Sequence, residues 1–572
     1  MANSALRASG SQLARWGLSA HDVLVLAAGF LFCAGSGPFE FGGWTPRMAA
    51  LLAGLPLGVV LLLRQAWRRD RAALAATAFL LWASIAALAS GAPWRSFVGQ
   101  VDGNTHSVVI FCGVFGFWAL ARNLSARGRA LVGPVLVGSL GLSAVIGVLQ
   151  IALDIRSGPL AHVGGRAGGL EGNAVLFSAT LCGACAWCAS TAIFAATART
   201  RLAALTGIML FALAIGLSGS RVSIIAIIVV CAAVCWRARD LRSLRVPAAA
   251  VLGLVVSLGV QRTLQLGADS AQRFSSSGSG GRTALWRASL SAVRERPLLG
   301  WGLGRVRPAI QLHFTPDFVR LYQQDDFSNA WNDVHNVGLQ MLVSVGVVGV
   351  ALLVMFLVVA FRRADFALSL AAVAISIDWL LQPSGISSLG VAAIFLGASA
   401  VRIEMSSGAT RRWPRALTAS AAALGLIAAL ALVVADLNLR RAVESGDHVA
   451  IRSAAAWFGD DPFVIDVFVV GTYRPDVAIE RTAREAAARR AAEAEPDVPT
   501  WWSELAMTQW DTGELDGMRA SIEKALALQP SHVRSWVQLT AYAKRVGDTD
   551  LEKTARVHAC DLGALVCEPT AP

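Results

Sequence analysis

The sequence predicts an all-α fold: a polytopic membrane helical bundle of about 13 spans, followed by an extracytoplasmic α-helical repeat domain. Three observations support this fold class. The 572 residues are 55% hydrophobic, more than in an ordinary soluble domain. Between residues 22 and 435, apolar runs long enough to cross a hydrocarbon core of roughly 30 Å alternate with short polar segments. The remaining C-terminal residues contain many charges and carry an internal repeat.

The apolar runs define the individual predicted spans. They lie at 22–36, 47–63, 72–91, 106–121, 130–153, 174–194, 202–218, 222–236, 246–261, 336–361, 366–381, 386–401 and 416–435. We therefore divide the chain into an N-terminal segment 1–21, a transmembrane domain 22–435 that includes the loop 262–335, and a tail 436–572. An odd number of spans places the two termini on opposite sides of the membrane.

The arginines of the short loops predict the orientation. Alternate loops are rich in arginine, namely 64–71, 122–129, 199–201, 237–245, 362–363 and 402–415, and the N-terminal segment adds Arg7 and Arg15. Because arginine is concentrated in cytoplasmic loops, the N-terminus is expected inside the cell. The loop 262–335 and the tail are then expected on the outer side of the membrane.

Charge is divided unequally between the two parts. The tail has 15 Lys and Arg against 22 Asp and Glu, whereas the rest of the chain has 35 against 16. The net charge of +12 therefore comes from the loop arginines that set membrane topology. No basic and aromatic pattern typical of nucleic-acid binding is present, so nucleic acid is not an expected partner.

The tail repeats with a period of 34 residues. Pro462, Pro496 and Pro530 share this spacing, and so do the pairs Trp502 and Trp536, Leu505 and Leu539, and Gly513 and Gly547. The segment 502–530 resembles a tetratricopeptide repeat, in which each helical hairpin buries its apolar face against the next hairpin. An ordinary helical bundle is the alternative. A repeat array offers a concave surface to a protein partner.

Unusual polar residues gather at the predicted outer boundary of the membrane. Arg166 and Arg221 lie in short outward loops, where arginine is disfavoured, and Arg282 lies in the long outward loop. A guanidinium group binds two phosphate oxygens at once, so converging arginines suit a diphosphate. A snorkelling arginine, an ion pair or a solvated loop arginine is the alternative for each position.

His335 lies where the long loop meets a predicted span. It is able to exchange a proton near neutral pH, so beside arginines it would serve as a general base of a transferase. A histidine that simply starts a helix is the alternative. Asp333 or Asn336 is placed to orient His335, and Asn336 is equally suited to cap the helix.

The nine cysteines predict little chemistry. Most lie within predicted spans, where they serve as small apolar residues, and no metal site or nucleotide motif is expected. Cys560 and Cys567 lie in the predicted external tail, where they either pair or remain free.

The ordered set of motifs resembles the superfamily of O-antigen ligases and O-antigen polymerases. It comprises Gly219-Ser-Arg221, Arg282 with Trp286, the segment Pro297-Leu-Leu-Gly300-Trp-Gly302-Leu-Gly304, and His335-Asn336 with the later Gly346. The resemblance covers residues 160 to 400. A thirteenth span and an external tail depart from the pattern of a plain ligase, which has twelve spans and both ends inside.

The resemblance implies an inverting, metal-independent glycosyltransferase that needs no cofactor. Its donor would be a glycan on undecaprenyl diphosphate. Arg221 and Arg282 would hold the diphosphate, Arg166 would assist, and His335 would act on the acceptor hydroxyl. Polymerisation of surface polysaccharide is the favoured activity. The alternatives are ligation to lipid A core, transfer to a protein, and, from a different class, a lipid-linked glycan transporter.

Overall fold

The computed structural model describes residues 17–37, 39, 41–99, 101, 106–158, 160–162, 164–264, 282–322, 333–362, 364–400, 415–459, 461, 464–465 and 481–564. The regular elements within these ranges are helices, and an isolated antiparallel bridge pairs Ala364 with Ala400. The predicted all-helical fold is confirmed for this part of the chain.

The first ten helices form most of the membrane domain. They are α1 (Ala20–Ala34), α2 (Trp44–Trp67), α3 (Arg71–Leu88), α4 (Pro93–Val98), α5 (Val108–Arg122), α6 (Ala126–Ala152), α7 (Ala174–Phe194), α8 (Ala198–Ser218), α9 (Arg221–Ala238) and α10 (Arg245–Thr263). Polar residues start many of these helices, and the side chains of Ser19, Asp70, Ser107, Ser125 and Asn173 each accept a backbone N–H of the first turn.

Three short helices follow in the long loop, α11 (Arg282–Glu295), α12 (Val306–Gln311) and α13 (Pro316–Tyr322). The membrane domain then continues with α14 (Val337–Phe361), α15 (Phe366–Asp378), α16 (Ile386–Ser399) and α17 (Arg415–Ser445). The loop helices pack over one end of the bundle. We call this end the loop face: it comprises α11–α13, the segments 164–173 and 333–336, and the turn 218–221.

Nine helices in the described ranges are long and apolar enough to cross a membrane, namely α2, α3, α6–α10, α14 and α17. The shorter apolar helices α1, α5, α15 and α16 coincide with the four other predicted spans. Large apolar side chains face outward on the long helices, including Leu81, Ile228, Val251 and Leu430, each more than half exposed. The chain is a multi-pass membrane protein, and its count of 13 spans remains a prediction.

The tail begins without a break from the membrane domain. Helix α17 continues through the predicted boundary at residue 435 as far as Ser445, and Asp436 within it is buried and accepts a hydrogen bond from Thr45. The helices α18 (His448–Ala455) and α19 (Arg481–Ala494) follow. The boundary of the tail domain therefore falls within a continuous helix.

The last four helices alternate in two similar pairs. They are α20 (Pro499–Thr512), α21 (Leu515–Leu528), α22 (Val533–Val546) and α23 (Thr549–Asp561), and each helix of the second pair begins 34 residues after its counterpart in the first. Left-handed Gly513 and Gly547 end α20 and α22 at equivalent places. These pairs agree with the predicted period, while the tetratricopeptide assignment remains a prediction. Cys560 is disulfide-bonded, and Cys567, which the sequence leaves either paired with Cys560 or free, lies outside the described residues.

Candidate functional site

The turn between α8 and α9 places Arg221 at the loop face. Helix α8 ends at Ser218, Gly219 takes a left-handed conformation with φ 68°, and Ser220 caps the next helix. Arg221 is therefore the first residue of α9. The hydroxyls of Ser220 and Ser223 lie 2.8 Å apart, and Ser223 in turn donates to the carboxylate of Asp378 on α15. This buried polar chain holds the start of α9 against a neighbouring helix.

Arg166 lies beside the same turn. Its Nε donates to the carbonyl oxygen of Ser218 at 2.6 Å. The loop that carries Arg166 is organised by the buried side chain of Gln150, whose Oε1 accepts from Gly168 and Gly169 at 3.0 and 2.9 Å. The structure therefore brings Arg166 close to Arg221, although the two residues come from different loops.

Arg282 is the first residue of α11 and lies near Arg221. Burial and the neighbouring positive charge of Arg221 both lower the pKa of Arg282. One helical turn later, the indole N–H of Trp286 donates to the carbonyl oxygen of Val334 at 3.0 Å. Because residues four apart lie on the same helical face, this bond turns Arg282 toward the segment that carries His335.

His335 is held in a left-handed backbone conformation with φ 56°. Such a conformation is uncommon outside glycine and is stabilised here by the surrounding contacts. The Nδ1 atom lies 3.1 Å from the carbonyl oxygen of Asp333, to which it donates in the tautomer that leaves Nε2 as the basic nitrogen. Burial lowers the pKa of His335, and the nearby Arg282 charge lowers it further. The imidazole is therefore favoured in its neutral form.

Asp333 and Asn336 flank His335 and have different structural roles. Asn336 caps α14 by accepting from the Leu339 N–H at 2.9 Å, as one of the two sequence interpretations proposed. Asp333 is buried, and one carboxylate oxygen accepts from the His335 N–H at 2.5 Å. The other oxygen has no hydrogen-bond partner among the described residues. Burial raises the pKa of Asp333 to about 7.

The glycine-rich segment after α11 supports the site by pairing with a break in α14. Gly346 interrupts α14 with φ 64°, and a Cβ atom there would lie 2.0 Å from the Leu298 carbonyl oxygen. The freed carbonyls of Val343 and Ser344 accept from the N–H groups of Trp301 and Gly302 at 2.8 and 2.9 Å. The glycine-rich segment therefore supplies hydrogen-bond partners to the backbone of α14 where that membrane helix is interrupted.

A second chain of hydrogen-bonded polar groups starts at Val334, next to His335, and the sequence did not indicate it. The Val334 N–H donates to Oε1 of Gln340 at 2.9 Å, and Nε2 of Gln340 lies 3.5 Å from Nδ1 of His106. The other ring nitrogen of His106 lies 2.7 Å from the hydroxyl of Ser384. The sequence signal for His106 was weak, because a polar residue at the start of an apolar run is usually only a helix end.

The loop face therefore brings together Arg221, Arg282 and His335, with Arg166 at the adjoining turn. Like charges at short range oppose each other, and an anionic ligand would relieve that repulsion. A basic imidazole nitrogen beside such an anion site is suited to remove a proton from a hydroxyl group. Among the described residues, no group of His, Cys, Asp and Glu is arranged to hold a metal ion.

A family model described as O-antigen ligase matches residues 184–354, a range that includes Arg221, Arg282 and His335 but not Arg166. No curated protein matches the chain. The family match suggests a membrane enzyme that transfers glycan during polysaccharide or lipopolysaccharide assembly, and it supports a relationship to the O-antigen ligase superfamily over the matched residues.

Proposed function

We propose that the protein is an inverting glycosyltransferase of the bacterial inner membrane that polymerises lipid-linked glycan at the periplasmic face. The donor is a glycan on undecaprenyl diphosphate, and the acceptor is the glycan of a second lipid-linked unit. The observation that carries the proposal is the convergence of Arg221, Arg282 and His335 at one end of the bundle. The O-antigen ligase match over the same residues supports it.

In the proposed reaction, an acceptor hydroxyl oxygen attacks the anomeric carbon of the donor from the side opposite the diphosphate. The new glycosidic bond forms as the bond between carbon and phosphate oxygen breaks, and undecaprenyl diphosphate leaves. The acceptor proton passes to Nε2 of His335. The guanidinium groups of Arg221 and Arg282 stabilise the negative charge that grows on the leaving diphosphate, and Arg166 assists in donor binding.

The cationic cluster, formed by Arg221 and Arg282, favours group transfer over transport. Its residues lie at one face of the bundle, whereas a transporter is expected to bind its substrate near the membrane midplane between repeated halves. The acidic helical tail further favours a polymerase or a protein glycosyltransferase over a plain ligase, because it adds a docked surface at the loop face. We propose that residues 436–572 form a tetratricopeptide-like domain that guides the polymer or a partner protein.

A reconstituted assay tests this function. Purified protein is incubated with a short undecaprenyl-diphosphate oligosaccharide and no other enzyme, and lipid-linked products are separated by size. We expect a ladder of lengthened lipid-linked glycans. Release of undecaprenyl diphosphate only after addition of lipid A core or of a protein would instead assign a ligase or a protein glycosyltransferase. Donor binding without turnover on any acceptor would support a carrier.

The variant His335→Ala tests the role of the base in the same assay. We expect it to bind donor but to lose glycan transfer, because the imidazole that takes the proton in the proposed reaction is removed. Full activity in a well-folded His335→Ala protein would remove His335 from the reaction.

A further inference from the structure

A polar cavity opens at the segment 164–173 of the loop face. It has a volume of about 240 Å³ and lies where the start of α2, the segment before α7 and the start of α16 meet. Its lining includes Phe41, Trp44, Arg47, Glu171 and Ser387. None of the residues assigned to the proposed reaction lines it. The cavity is therefore distinct from the diphosphate site.

A buried ion pair forms the polar wall of the cavity. Arg47 and Glu171 lie 3.1 Å apart, with side-chain exposures of 6% and 5%. Ser387 donates a hydrogen bond to the other Glu171 oxygen, and Arg47 also donates to the Leu170 carbonyl at 2.8 Å. Nε of Arg47 has no hydrogen-bond partner among the described residues, and neither has the indole N–H of Trp44.

We infer that this cavity binds one neutral sugar ring of the glycan substrate, an assignment that rests on the proposed function. Sugar hydroxyls both donate and accept hydrogen bonds, and the wall supplies donors on Arg47 and acceptors on Glu171. Phe41 and Trp44 add aromatic surface for the apolar side of the ring. The cavity is smaller than the roughly 300–1,000 Å³ typical of sites for drug-sized ligands, which suits a single ring.

The charge of the cavity separates this role from diphosphate binding. Arg47 and Glu171 neutralise each other, so a phosphate placed there would face a carboxylate at close range. At Arg282, by contrast, the nearest charge that shifts the pKa is the like charge of Arg221, and it lowers that pKa. The two sites therefore divide the substrate chemically, with the diphosphate at one and a sugar at the other.

The position of the cavity connects it both to the proposed base and to the tail. Ser387 follows Ser384, which bonds to His106 in the polar chain that reaches Val334 beside His335. On the opposite side, Phe41 packs edge-on against Phe458 of the tail, with ring centroids 5.3 Å apart. A sugar in the cavity thus lies at the junction of membrane domain and tail.

Binding of a lipid-free oligosaccharide to the full-length protein tests the inference. The probe is the oligosaccharide released by mild acid from the lipid-linked glycan that accumulates in cells lacking the protein. It carries no diphosphate, so the cationic cluster is not expected to hold it. The dissociation constant is measured by isothermal titration calorimetry in detergent, and the melting temperature of each variant is recorded.

Two variants remove different features of the cavity. Arg47→Met with Glu171→Gln replaces the whole ion pair by neutral side chains of similar length, which avoids an unpaired buried charge. Trp44→Leu keeps the ion pair and removes the aromatic face. We expect each to weaken oligosaccharide binding at least tenfold. The matched control replaces the exposed pair Arg440 and Glu444 in the same way and should bind as the wild type.

Wild-type affinity in both cavity variants, at an unchanged melting temperature, would overturn the inference. To decide whether the ring belongs to the donor or to the acceptor, the concentration of each is varied separately in the transfer assay. In the cavity variants, the KM should rise only for the substrate that supplies the ring. If transfer is not observed but the cavity variants still lose oligosaccharide binding, the sugar site stands and the proposed reaction fails.

Discussion

At the scale of single residues, the site depends on arginines that the bundle holds close together. Arg282 lies near both Arg221 and His335. The charge of Arg221 lowers the pKa of Arg282, and the charge of Arg282 lowers the pKa of His335. A guanidinium group offers two parallel donors to a phosphate, whereas a lysine ammonium group acts as a point charge. The shape of the Arg282 side chain should therefore matter in addition to its charge.

Replacement of Arg282 tests this point. We expect Arg282→Ala to lower kcat by roughly 10²- to 10³-fold, the loss typical for one donor to a developing oxyanion. Arg282→Lys should recover only part of that loss. Steady-state transfer rates measure both effects. Arg287→Ala, an exposed change on the same helix, serves as the control and should keep wild-type activity. Equal losses in Arg287→Ala would mean that α11 tolerates no change.

Asp333 should make the stability of the protein depend on pH. Its folded-state pKa is raised to about 7 by burial, from an ordinary value of 3.8. The protonated form is therefore favoured in the fold, and its stabilising contribution is complete below pH 3.8. The contribution is lost as pH rises toward 7, at about 1.4 kcal/mol per pH unit at most.

The variant Asp333→Asn removes this titration. We expect its melting temperature to exceed that of the wild type by more at pH 8 than at pH 5, as measured by thermal unfolding in detergent. The Asn side chain still offers an oxygen to the His335 N–H. A difference between the two proteins that is the same at both pH values would show that Asp333 does not titrate in this range.

At the scale of elements, a buried charge network joins the tail to the membrane domain. Glu495 of the tail pairs with Arg95 of α4 and with Arg305 before α12, at 3.0 and 2.8 Å. Arg95 also pairs with Asp461 at 3.0 Å, and the Trp501 indole donates to Glu495 at 2.7 Å. Burial opposes ionisation of Glu495, but the two arginines outweigh it and lower its pKa to about 2.

Loss of the Glu495 charge should loosen the tail. In Glu495→Gln, two buried arginines lose a shared partner, and breaking a buried pair costs roughly 3–5 kcal/mol. We expect a lower melting temperature and faster trypsin cleavage within 446–564. Acid should destabilise the protein in the same direction. The contribution of ionised Glu495 to stability is complete above pH 4.5 and declines as pH falls toward 2.

The exposed pair of Arg519 and Glu523 supplies the control for the Glu495 variant. Glu523→Gln should leave the melting temperature close to that of the wild type, because surface ion pairs contribute little. Comparable effects of the two substitutions would show that the network does not hold the tail in place.

At the scale of the whole molecule, the orientation in the membrane determines where the reaction takes place. The loop arginines predict that the loop face and tail are periplasmic and that the loop 237–245 is cytoplasmic. Exposed side chains are available on both predicted sides, namely Glu444 near the end of α17 and Arg242 after α9. The seven described free cysteines lie in or beside the bundle and are largely buried.

Labelling of introduced cysteines tests the orientation. We expect Glu444→Cys to react with a membrane-impermeant maleimide in cells with a permeabilised outer membrane, and Arg242→Cys to react only after the inner membrane is opened. The wild-type protein gives the background. The reverse pattern would place the loop face in the cytoplasm and would exclude a periplasmic donor.

The sequence by itself determined the helical membrane architecture. Apolar runs of spanning length have no other stable conformation in lipid, because each backbone polar group must be satisfied within the segment. The spans therefore coincide with helices of the structure. The repeat of 34 residues likewise predicted paired helices in the tail, since the same turn residues recur at Gly513 and Gly547. Arg221, Arg282 and His335 were identified from motif order, without any information on their distances.

Only the tertiary structure decided which of these residues meet. Arg221, Arg282 and His335 belong to three separate segments, and their proximity depends on how α9, α11 and α14 pack. The pairing of Gly346 with the segment after α11 and the burial of Glu495 between two arginines are equally non-local. Periodicity reports the environment of each residue along its own helix. Contacts between distant segments arise from packing, which a single sequence does not encode as a pattern.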